Sequence, residues 1–164
     1  RYFPSKTALI EAVVAAVAAD ELAAIRAAAA AAPGPLSALA AAVIGFAGRA
    51  VRQRRLVWAV LAEPVDADVD RARIAFRTAL HAVLRDVITA AMRTGQLADT
   101  DAGLAAAAVT GTLVEGLIGP LAPGPEPATD KQRVQMFGLL ALRAAGLPDA
   151  HARGLIVQAP WPPG

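Results

Sequence analysis

In the stretch DVDRARIAFRTALHAVLRDVITAAMRTG, Asp68 to Gly95, apolar side chains return every three or four positions, so that Val69, Ala72, Phe76, Leu80, Val83 and Val87 share one face. Arg73, Arg77, His81 and Arg85 run beside that face in an i, i+4 line, the pattern of a solvated flank, and Gly95 supplies a C-terminal stop. The spacing predicts one long amphipathic helix.

The sequence on either side has the same character. Ser5 can cap a helix that starts at Lys6, in which Leu9, Ile10, Val13, Val17 and Ala24 recur out to about Ala31 before Pro33-Gly34-Pro35 ends it. A second helix is predicted from about Leu36 to Arg52, with Leu36, Leu39, Val43, Phe46, Ala47 and Ala50 on one arc and Arg49 and Arg52 turned away. A short third helix, about Arg54 to Ala62, is apolar nearly all round and is expected to be largely buried before Pro64 closes it. Beyond Gly95, one of Asp99, Thr100 or Asp101 caps a fifth helix of small and aliphatic residues that runs to about Gly119 and stops at Pro120. A linker, Pro120 to Ala128, leads to a capping box of Thr129 and Gln132 and a last helix ending at Gly146-Leu147-Pro148; the tail to Gly164 is expected to be irregular. The expectation is an all-α fold, a bundle of about six helices.

Composition agrees. Alanine supplies 43 of 164 residues and aromatics only 4%, which favours helices and excludes an all-β fold. The absence of cysteine rules out a disulfide framework, iron–sulfur clusters and thiolate zinc sites, and it fits a reducing, cytoplasmic setting. Sixteen basic and fourteen acidic residues leave +2, and because nearly all the basic residues are arginine the high isoelectric point does not imply a cationic binding face. The longest uncharged run, Ala27 to Gly48, is long enough to span a bilayer but is broken by Pro33-Gly34-Pro35, so it reads as two helices of a soluble bundle and no membrane partner is expected. The opening Arg1-Tyr2-Phe3-Pro4 carries neither an initiator Met nor an apolar targeting segment, and an upstream segment is expected.

Catalytic chemistry is sparse. The only histidines are His81 and His151, the only serines Ser5 and Ser37, and there is no asparagine. No G-x-S-x-G, H-E-x-x-H, Walker lysine or dinucleotide glycine motif occurs, and none of the five glutamates has a histidine three residues on, which removes the Glu-x-x-His pair of di-iron bundles. The chain is expected not to be an enzyme and to need no cofactor or metal.

The opening RYFPSK, with Leu9 three residues past the lysine, resembles the Y-x-H/Y-F-x-S/T-K-x-x-L signature of TetR-family transcriptional regulators. In that family the signature joins the recognition helix to the following long helix. The later order of elements is also similar to a TetR-type ligand domain: a long helix, a proline break, a helix, a short apolar helix, a long helix ending in Gly95-Gln96-Leu97-Ala98-Asp99, then two closing helices. The resemblance implies that residues 1–8 are the end of a helix-turn-helix DNA-binding domain and the start of its connecting helix, and that residues 9–164 form a ligand-binding and dimerisation domain. Tyr2 and Lys6 would then contact DNA phosphates, which position the protein without reading bases. Operator DNA would be read by helices absent from this sequence.

By the same resemblance, a small molecule entering among the second to fifth helices would tilt the first and change the spacing of two recognition helices in a homodimer, most simply as a repressor. Candidate pocket residues are Phe46, Trp58, Leu61, Phe76 and Leu80, bulky groups on inward arcs, with Thr110 as an inward hydroxyl; residues of this kind are more often simple packed core. A pocket so poor in charge implies a small hydrophobic effector. The last helix has Val134, Phe137, Leu140, Ala141 and Ala144 on one side and Leu139 and Leu142 on the other, so one side is expected to face a second subunit. With the fifth helix this gives a dimer interface at Leu113, Leu117, Val134, Phe137 and Leu140. Glu115 and His81 are expected in solvent. The competing reading is a helical dimerisation or scaffold module with neither DNA nor ligand.

Overall fold

The computed structural model describes residues 2–119 and 130–162. Among them the chain forms seven helices and no strand: α1 (Lys6–Ala31), α2 (Pro35–Arg52), α3 (Arg54–Leu61), α4 (Ala67–Arg93), α5 (Ala102–Ile118), α6 (Asp130–Ala144) and α7 (Asp149–Gln158). The predicted linker, Pro120 to Ala128, and the Thr129 cap lie outside the described residues.

Local chemistry sets these limits. The Ser5 hydroxyl accepts from the Ala8 amide at 3.1 Å, satisfying one orphan donor at the start of α1, and the Asp101 carboxylate does the same for Leu104 at the start of α5. Gly95 and Gly146 adopt φ of +70° and +97°, and the amides of Gln96 and Leu147 reach back to the carbonyls of Ala91 and Leu142, closing α4 and α6 with Schellman-type turns.

α2 is the axis of the fold. Fourteen of its eighteen residues are buried, and it packs on α1, α4, α5, α6 and α7. It is long and apolar enough to cross a membrane by composition, yet 78% of it is covered by the rest of this chain, as a core helix would be. Small residues let neighbours approach: a Cβ on Gly138 of α6 would lie 2.6 Å from the Ile44 terminal methyl of α2 and 2.8 Å from that of Ile156 in α7.

Three expectations are corrected. The tail is not irregular, since Asp149–Gln158 forms α7, opened by Pro148 and an acidic first turn and docked through Ala152 and Ile156. α3 is not largely buried; only Leu61 is, because α3 lies at the edge of the bundle with Leu56 exposed. In α4 the buried line is Val69, Arg73, Phe76, Leu80, Leu84, Ile88 and Ala91, so Leu84 and Ile88 take the interior positions assigned to Val83 and Val87. That same phase carries Arg73 inward and leaves Ile74 57% exposed.

Candidate ligand-binding cleft

A cleft opens where four helices meet. α1 lines it with Val14, Val17, Ala18 and Glu21; α2 and its C-cap with Phe46, Arg49, Ala50 and Gln53; α3 with Val57, Val60 and Leu61; and α4 with Arg73 and Phe76. The rings of Phe46 and Phe76 meet at the floor, centroids 6.3 Å apart and tilted by 44°, a favourable aromatic contact. About 570 Å³ of space lies between these side chains and runs out to solvent.

Its charges are unevenly matched. Glu21 and Arg49 form a two-point ion pair across α1 and α2, with Arg49 Nη2 2.6 Å from Glu21 Oε1 and Nε 3.1 Å from both carboxylate oxygens. Gly45 makes room for the guanidinium, because a Cβ there would lie 3.0 Å from Arg49 Nη1. Arg73, 8% exposed, has no such partner: its Nη2 donates to the Ala59 carbonyl at 3.0 Å, and its buried Nε donates to nothing.

Of the six candidate pocket residues, Phe46, Leu61 and Phe76 line this cleft. Trp58, Leu80 and Thr110 do not. Trp58 lies on α3 one residue from Val57, about 100° around the helix, and is half-buried on another face. Leu80 is closed core at 1% exposure, and the Thr110 hydroxyl is spent on the Ala106 carbonyl of its own helix at 2.8 Å. Sequence reasoning missed Glu21, Arg49 and Arg73, having turned Arg49 and Arg73 to solvent. The signal for Arg73 was its spacing from Val69, Phe76 and Leu80; its charge masked it.

The expected interface residues divide as well. Leu113, Leu117 and Val134 are 2%, 4% and 0% exposed within the single chain, so they belong to its core and offer nothing to a partner. Phe137 is half-buried against Gly116 of α5, where a Cβ would fall 2.4 Å from its ring, and Leu140 is 46% exposed. The second apolar side of α6 is in part covered by α7. Glu115 is exposed, as expected. His81 instead is half-buried and its Nε2 donates to the Gly103 carbonyl at 3.0 Å, tying α4 to α5. Tyr2 and Lys6 are both exposed at the start of α1. Among the described residues no group of three or more His, Asp or Glu side chains could hold a metal.

Among the described residues the seven helices, with no strand, make up an all-α fold. Two solved structures share it: RolR without ligand, at 19% identity and a TM-score of 0.69 over 99% of this chain and 78% of RolR, and RolR in complex with resorcinol, at 22% identity and a TM-score of 0.62 over 99% of this chain and 76% of RolR. No protein-family model and no curated protein matches the sequence.

Proposed function

We propose that this chain is the ligand-sensing and dimerising part of a cytoplasmic transcriptional regulator, in which a small molecule in the α1–α4 cleft shifts α1 and thereby alters DNA binding by a helix-turn-helix domain ahead of it. The observation that carries this reading is that α1 forms one whole wall of the cleft. A helix of 26 residues is about 39 Å long, so a small tilt at Val14 to Glu21 is carried to Lys6. RolR, solved both without ligand and with resorcinol, supports a small molecule as the effector.

In this reading residues 1–8 end the DNA-binding domain, Tyr2 and Lys6 hold phosphates, and residues 9–164 sense and dimerise. The dimer uses the outward faces of α5 and α6, where Leu104, 71% exposed, and the exposed Ala108 and Gly111 lie on α5 and Leu140, 46% exposed, lies on α6. The regulator is a repressor, released from its operator when the cleft fills. The test joins the helix-turn-helix segment proposed to precede Arg1 to this chain and follows operator binding by anisotropy. Lys6→Ala should weaken binding to all sequences alike and lower the salt slope by roughly one. Loss confined to one sequence would place Lys6 elsewhere, and operator affinity that never responds to a cleft ligand would refute the regulatory mechanism.

A further inference from the structure

We propose that the cleft takes an apolar carboxylic acid and that Arg73 holds its carboxylate; this rests on the cleft being the effector site. The lining carries one acid, Glu21, and two guanidinium groups, Arg49 and Arg73. Glu21 is committed to Arg49 through three contacts of 2.6 to 3.1 Å, so the cleft keeps one uncompensated positive charge. A guanidinium cannot shed its proton, and buried charge is ordinarily paired. Arg73 is more than nine-tenths buried, spends Nη2 on a backbone carbonyl and leaves a buried Nε–H without an acceptor. The missing component is an acceptor that carries negative charge.

The remaining wall fixes the rest of the molecule. Phe46 and Phe76 present tilted rings beside aliphatic groups of α1 and α3, which suits a flat or slender apolar body. A carboxylate, planar with two oxygens and a single charge, matches both the fork of one guanidinium and the single surplus charge. A doubly charged phosphate would exceed that charge, and a neutral phenol would leave it uncompensated. The charge-poor effector suggested by sequence is thereby refined to an apolar anion.

Calorimetric titration of the 164-residue chain with cinnamate and its uncharged near-isostere cinnamamide tests this directly, with octanoate and octanamide as an aliphatic pair. Each acid should bind about ten- to a hundredfold more tightly than its amide, the range expected of hydrogen bonds to a charged group. Arg73→Met should erase that preference while amide binding persists, and Arg73→Lys should keep part of it. If Arg73→Met fails to fold, the wild-type acid-to-amide ratio and the Arg73→Lys variant decide. Equal affinity for acid and amide in the wild type, or an undiminished preference in Arg73→Met, would overturn the role of Arg73 while leaving the cleft as an effector site. Absence of binding by any of the four probes would overturn the cleft itself.

Discussion

α1 and α2 are both alanine-rich helices joined by Pro33-Gly34-Pro35, yet they are held in opposite ways. α2 buries fourteen of eighteen residues, whereas α1, with twenty-six, buries only Val14 and Ile25. Alanine confers helicity on both, but alanine alone adds little apolar area per residue, so what differs is the supply of larger side chains at the right phase. In α2, Leu36, Leu39, Val43, Ile44, Phe46 and Val51 are all buried in the core. In α1, Leu9 and Val13 are each 42% exposed and the grip on the bundle passes to half-buried contacts, the Glu21–Arg49 pair and the Thr7 hydroxyl, which donates to Asp66 at 2.7 Å. One wall of the cleft is therefore fixed and the other lightly fastened. In the proposed mechanism, the lightly fastened wall is the one that yields.

Substitutions can break or sharpen that contrast. The largest effect belongs to α2: Leu39→Ala, at a site with no exposure, should cost about 2–5 kcal/mol and lower the melting temperature by roughly 5–15 °C. Gly138→Val should follow at about 2 kcal/mol, since even a Cβ would meet Ile44 and Ile156 below 3 Å, and its melting curve should fall without loss of helix content at low temperature. Glu21→Gln should cost only about 1 kcal/mol, because the pair it breaks is half-buried, but hydrogen exchange should speed up along α1 and not along α2. Leu9→Ala should change stability by less than about 0.5 kcal/mol. If Leu9→Ala proves as damaging as Leu39→Ala, α1 is not the loosely held element and the contrast fails.

Much of this was legible in the sequence, for identifiable reasons. Pro33-Gly34-Pro35, Gly95 and the Ser5 and Asp101 caps fix helix ends through backbone chemistry that tertiary packing does not override. The phase of α4 was harder, because Val83 and Leu84, like Val87 and Ile88, are adjacent apolar pairs that fit either of two arcs, and only the packed bundle chooses. α7 escaped because its signal is small, Pro148 before Asp149 with Ala152 and Ile156 four apart. The cleft was half legible: Phe46, Leu61 and Phe76 lay on predicted inward arcs, while Glu21 and Arg49 come together only when α1 crosses α2, a pairing of residues twenty-eight apart in sequence. Trp58 was chosen for its size, and size says nothing about which face of a short edge helix meets a cavity.

In the proposed function, filling the cleft moves α1 against a stationary α2 and α4. The chain has no cysteine, so spin labels can be placed at single introduced sites without removing native thiols. One pair, Glu11→Cys and Arg93→Cys, reports α1 against the far end of α4; a second, Arg52→Cys and Arg93→Cys, reports α2 against α4. Electron–electron double resonance is measured before and after saturation with whichever of the four probes calorimetry finds tightest. The first distance should shift by about 1–2 Å or its distribution narrow around a new mean, with the second unchanged. Saturated binding with both distances unaltered would contradict the proposed movement.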